Sequence, residues 1–132
     1  MKREETLMAE VKFYRCKHCG NIFAVVKDAG VTPMCCGEKM ELLVAGATDA
    51  AVEKHVPVVT VEGEDVTARV GAVDHPMLDV HYIEWIAFAD GTKIGIKFLN
   101  PGDEPQATFT KTAETGTVYA YCNLHGLWKA DC

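Results

Sequence analysis

"HYIEWIAFADGTKIGIKFL", residues His81–Leu99, decides the fold class. Asp90-Gly91 stands between two runs whose side chains alternate, and that dipeptide marks the tight turn of a β-hairpin. The same β-branched and aromatic composition recurs on both sides, in "VPVVTVEG" (56–63), "DVTARVGA" (65–72), "QATFTK" (106–111) and "TVYAYC" (117–122). Between them "LNPGDEP" (99–105) is a turn-rich loop. No long amphipathic helix, internal repeat or low-complexity tract interrupts the pattern. Short strands with frequent turn signals predict an antiparallel β-sandwich or barrel of roughly ninety residues.

Upstream the character changes. "VKFYR" (11–15) and "NIFAVV" (21–26) are short strand-like runs flanking "CKHCGN" (16–21), and Gly30 and Pro33 mark turns before "MCCGEKM" (34–40). "MELLV" (40–44) closes this piece, and "AGATDAAVEK" (45–54) is small and polar enough to be a linker or loop. The sequence therefore divides into a metal-binding module, residues 1–44, and a β domain, residues 45–132. The module is too small to build a sufficient core, so a structural metal is its expected staple.

Bulk properties exclude several classes. A chain of 132 residues with 48% hydrophobic and 24% charged residues is globular. Its net charge is −6 and it has no basic run to follow phosphates, which argues against nucleic acid. No apolar stretch reaches the length of a membrane-crossing helix. The start, "MKREETLMAE", is charged without the apolar centre of a secretory signal. The expected location is cytoplasmic, where clustered cysteines are metal ligands more often than disulfides.

Cys16-x-x-Cys19 and the adjacent Cys35 and Cys36 place four thiols within about twenty residues. Four thiolates suit a tetrahedral ion, and spacing alone does not choose between iron and zinc. Two disulfides are the alternative. Neighbouring cysteines cannot form the loop of a second C-x-x-C, so a distorted tetrahedron is expected. His18 would be a solvated loop residue, because four sulfurs already fill such a site.

Left over are Cys122, Cys132, His55, His75, His81 and His125. Any one histidine on a strand reads as a half-exposed residue. Four of them, with Cys122 and His125 in a C-x-x-H spacing, mark a second candidate metal site. His55 and His75 each adjoin a proline-constrained segment. His81 opens the strand above, on the face of Ile83 and Trp85. Gly126 can supply the positive φ of a turn bearing two ligands. Tyr82, Trp85, Tyr121 and Trp128 either line this site or simply fill the core; Lys129 and Cys132 read as a surface charge and a free terminal thiol.

The motifs "YRCKHCGNIF…MCCGEKM", "EKHVPV", "VGAVDHPM", "HYIEWI" and "CNLHGLWK" together resemble the superoxide reductase family in its two-iron, desulfoferrodoxin form, over essentially the whole chain. A slightly long N-terminus and Cys132 are the departures. The resemblance implies a mainly β protein, with a desulforedoxin-like domain followed by an immunoglobulin-like sandwich. It implies two iron ions per chain. Cys16, Cys19, Cys35 and Cys36 would hold one; His55, His75, His81, Cys122 and His125 would hold the other, with a vacancy opposite the thiolate. It further implies one-electron reduction of superoxide to hydrogen peroxide, rubredoxin or a similar electron donor, and a homodimer. Lys54 would attract superoxide and order a proton-donating water, and Glu53 would occupy the vacancy in the ferric resting state. In an extended segment Lys54 would point away from Glu53 and His55, so "VEKH" is expected to be a loop. Two other classes remain open: a rubredoxin-like electron carrier or redox sensor, and a zinc-stabilised adaptor.

Overall fold

The computed structural model describes residues 11–47, 50 and 52–132, without the side chain of Glu53. The charged start (residues 1–10) and positions 48, 49 and 51 of the expected linker lie outside the described residues. The contacts separate two compact units, Val11–Val44 and Ala45–Cys132.

In the first unit β1 (Phe13–Arg15) pairs antiparallel with β2 (Ile22–Ala24), while β3 (Met34–Cys35) and β4 (Glu38–Lys39) form a minimal hairpin. β5 (Glu41–Leu42) returns to the free side of β1. Phe13, Cys16 and Met40 are the buried side chains here. So thin a core stabilises little by itself, and the unit depends on whatever its cysteines bind.

The second unit is an antiparallel sandwich. After a single helical turn, α1 (Val52–His55), come β6 (Pro57–Glu62), β7 (Asp65–Val70), β8 (Ile83–Ala89), β9 (Ile94–Phe98), β10 (Gln106–Thr110), β11 (Thr117–Cys122) and β12 (Gly126–Asp131). One sheet runs β9-β8-β11-β12 and the other β10-β7-β6. Their facing residues alternate as strand geometry requires, with Val66, Ala68 and Val70 of β7 against Ile86, Phe88, Val118 and Ala120. At the turn beginning with Asp90-Gly91 the Asp90 carboxylate is buried. It accepts the N–H and hydroxyl of Thr92 (2.9 and 2.7 Å) and of Thr112 (2.7 and 3.0 Å). Burial opposes its charge, but these four donors outweigh burial and hold the carboxyl below its usual range. Among the described residues, no helix is long and apolar enough to cross a membrane.

Three local expectations change. "VEKH" is neither extended nor a loop but one turn of helix, closed by Val56 N–H on Val52 O at 3.0 Å. Pro57 then ends it, since the residue before a proline disfavours helical geometry. His81 does not open β8; it forms a separate two-residue bridge with Leu78. Ile83 and Trp85 do not share a face either. The β8–β11 register shifts between Tyr121 and Cys122, leaving Glu84 as an extra residue, so Ile83 turns into the core while Trp85 stacks on Tyr121. β12 is a strand beyond the runs singled out from sequence, because "GLWKAD" has little β-branched character and owes its conformation to pairing with β11.

Candidate metal centres

All the strand ends that matter lie at one end of the sandwich. β6 begins beside the end of β7 (Pro57 opposite Val70), and the end of β11 meets both the start of β8 and the start of β12 (Cys122 opposite Ile83 and Gly126). α1 delivers His55 to this end. His75 follows β7 closely, its N–H bonded to Val70 O at 2.9 Å. Gly126, with φ of +80°, closes the short turn from Cys122 to His125.

Antiparallel pairing thus brings together five residues that the sequence scatters over seventy positions. His55, His75, His81, Cys122 and His125 each offer a ligand atom within 4.8 Å of all the others. The four imidazoles form a closed ring: neighbouring centroids are 4.7, 4.7, 5.1 and 4.9 Å apart around His55, His75, His81 and His125. Interplanar angles of 74° to 89° make it a pinwheel. His55 Nε2 lies 3.2 Å from His75 Nε2 and 3.1 Å from His125 Nδ1. Nitrogens about 2.1 Å from a common ion and at right angles stand about 3.0 Å apart, so these spacings suit a shared ion. Cys122 Sγ is 3.8 Å from His125 Nδ1. Among the described residues, His81 Nε2 is buried without a hydrogen-bond partner, an omission that costs free energy unless something else satisfies it.

The surroundings orient these rings. His75 Nδ1 bonds Pro76 O at 2.7 Å; the carbonyl only accepts, so the proton is on Nδ1 and the Nε2 lone pair points into the ring. Burial, aided by the other imidazoles, pushes His75 down to about 4, leaving it neutral at ordinary pH. Burial also lowers His81, with smaller contributions from His125, His55 and the exposed Lys54. Burial raises the Cys122 thiol, against backbone N–H donors from Leu124 and His125. Neutral imidazoles and a shielded sulfur are what a borderline transition ion takes as ligands. Trp128 stacks on His55 at 5.0 Å and 29°, and donates its indole N–H to His125 O at 3.1 Å. The side chain of Glu53 lies outside the described residues.

In the first unit Cys16, Cys19, Cys35 and Cys36 also converge within 4.8 Å. Cys19 and Cys35 sulfurs are 3.6 Å apart, and Cys35 and Cys36 sulfurs 3.9 Å. These separations exclude disulfides, and they match the edge of about 3.8 Å in a tetrahedron of sulfurs about 2.3 Å from an ion. Adjacent residues on a strand point to opposite faces. Cys36 escapes that rule by adopting φ of +53° next to Gly37 at +78°, the two-residue turn of the β3–β4 hairpin. Hydrogen bonds from the Cys19 N–H lower Cys16 to about 6, while the neighbouring sulfurs push Cys36 up to about 12. Without a cation the cluster cannot hold four negative charges. His18 is exposed and pairs with Glu38.

Sequence reasoning named Pro76 only as a constraint on the His75 backbone, and it did not single out Asn123. Asn123 could have been noticed, since it lies between Cys122 and His125; the Pro76 carbonyl carries no sequence signal at all.

A β-sandwich gathering four imidazoles and a thiol, in one chain with a four-cysteine unit, defines a protein with two separate clusters of metal-ligand side chains. Family comparison agrees for both parts: the desulfoferrodoxin model matches residues 47–131 and the desulfoferrodoxin N-terminal domain matches residues 9–43. The chain belongs to the desulfoferrodoxin family. It is 47% identical to a desulfoferrodoxin homolog of Archaeoglobus fulgidus, over 93% of this chain and 99% of that one. Desulfoferrodoxin of Nitratidesulfovibrio vulgaris is 46% identical over 92% and 97%. The crystal structure of the superoxide reductase from Treponema pallidum superposes with a TM-score of 0.74 at 36% identity, covering 92% of this chain and 98% of that chain.

Proposed function

We propose that this chain is a superoxide reductase, converting superoxide to hydrogen peroxide at the His55, His75, His81, Cys122 and His125 centre. The observation that carries the reading is the pinwheel of four imidazoles around a common point, with a thiol beside it. A closed structural site normally stops at four ligands. A ferrous ion held by these five donors would supply the single electron to a small anion. Two protons accompany it as hydrogen peroxide leaves.

The protein's own residues prepare this. Pro76 O holds His75 in the tautomer that presents Nε2, and Trp128 fixes the plane of His55. The N–H groups of Leu124 and His125 support the charge of a Cys122 thiolate. Lys54, exposed and electrostatically coupled to His81, attracts the anionic substrate against the net charge of the chain and orders a proton-donating water. By the family resemblance, Glu53 would be the carboxylate that closes the site at rest. Cys16, Cys19, Cys35 and Cys36 hold a second iron in a domain spanning residues 1–44, and residues 45–132 form the catalytic domain. Family likeness favours a cytoplasmic homodimer re-reduced by rubredoxin or a similar donor.

The test is pulse radiolysis of the iron-loaded, reduced protein. Superoxide should oxidise the wild type rapidly with release of hydrogen peroxide, and Cys122→Ser should lose that reaction. Rapid oxidation retained in both Cys122→Ser and His125→Ala would overturn the assignment.

A further inference from the structure

Asn123 sits between two of the five donors and offers none itself. We propose that it is a positioning residue: its side-chain amide locks the His81 segment to the Cys122–His125 turn and so sets the spacing of the donors. The inference rests on the reading of that cluster as a metal centre.

The β8–β11 ladder ends at the Ile83–Cys122 pair. One residue further, the pairing is completed by Asn123 alone. Its backbone N–H donates to Tyr82 O at 3.2 Å, and its Oδ1 accepts the Tyr82 N–H at 3.0 Å. Its Nδ2 then donates to Val80 O at 3.1 Å. The backbone on both sides of His81 is therefore tied to one residue of the opposite turn. The His81 backbone bonds across its own short loop, exchanging N–H and carbonyl with Leu78 at 3.1 and 2.9 Å. Since no described residue gives His81 Nε2 a hydrogen bond to direct it, the ring's position follows from its backbone, and its backbone follows Asn123.

The chemistry asks for asparagine. One planar group must accept from an N–H and donate to a carbonyl, a single methylene from the main chain. Aspartate keeps the acceptor but sets a carboxylate oxygen against the Val80 carbonyl. Serine and alanine cannot span both partners. Groups that orient metal ligands from outside typically change metal retention about ten- to a hundredfold when removed.

The experiment compares wild type, Asn123→Ala and Asn123→Asp, loaded with iron and challenged with a strong chelator. Release from the four-cysteine centre of the same chain is the internal reference. Thr112→Val, which removes a hydroxyl donor to Asp90 beyond the far end of β8, controls for general destabilisation. Both Asn123 variants should release iron from the histidine–cysteine centre about ten- to a hundredfold faster, with the four-cysteine centre unchanged. They should also shift the visible absorption of the oxidised centre, which Thr112→Val should not. If Asn123→Ala fails to fold, Asn123→Asp carries the comparison. Release and absorption indistinguishable from wild type, or from a Thr112→Val chain of equal stability, would overturn the proposal. Wild type that takes up iron only at the four cysteines would overturn the metal-centre reading, and this inference with it.

Discussion

The two donor clusters solve one problem in opposite ways. Cys16, Cys19, Cys35 and Cys36 are contributed by turns within about twenty residues, and almost nothing else in Val11–Val44 is buried. The histidine–cysteine cluster is contributed by α1, the loop between β7 and β8, and the turn from β11 to β12, all carried on a continuous apolar core. In the first unit binding and folding would be one event. In the second the scaffold comes first and the donors are positioned on it, which is the arrangement a reactive centre needs.

The largest expected effect separates the units directly. Complete removal of metal should abolish amide-exchange protection throughout residues 11–44, since a structural ion can supply on the order of 10 kcal/mol of folding energy to such a module. Protection in β7, β8 and β11 should persist. Loss of protection in both units together would break the contrast.

A smaller effect concerns the electrostatics of the second centre. Lys54→Ala should slow superoxide capture about three- to tenfold at low ionic strength and flatten its salt dependence, leaving both iron centres spectroscopically intact. An unchanged rate removes Lys54 from the mechanism.

The smallest effect is a pH slope in the metal-free sandwich. His75 is lowered from its ordinary 6.5 to about 4 by burial, and His81 is lowered for the same first cause. Between those values the unfolded chain binds more protons than the folded one, so stability is full above about 6.5 and declines as pH falls toward 4. Urea midpoints should fall gradually over that window. A flat profile would mean the rings are not held neutral, and the donor set is less prepared than its geometry suggests.

The sequence made the local cluster and the sandwich legible for different reasons. Turn chemistry at Asp90-Gly91 and repeated β-branched runs carry the sandwich, because each is a short-range signal. Four cysteines in twenty residues announce themselves in the same way. The second cluster was visible as leftover donors and a C-x-x-H, but not as a ring, because its shape depends on which strand ends meet. β12 was hidden because its conformation comes from its partner strand. The bulge at Glu84 was hidden as well, since a register shift leaves no mark in residue types. The one-turn helix at "VEKH" escaped because four residues after a small, polar stretch are too few to show a helical period, so a loop was expected there. Asn123 was hidden as a clip because a turn asparagine ordinarily bonds its own neighbours.

The central claim is that superoxide reacts at the histidine–cysteine centre and not at the four cysteines. Pulse radiolysis of a reduced Cys16→Ser/Cys19→Ser chain, set beside reduced Cys122→Ser, tests it most directly. The first should still consume superoxide rapidly and yield hydrogen peroxide, and the second should not. Rapid reaction in Cys122→Ser, with none in the cysteine-module variant, would contradict the account.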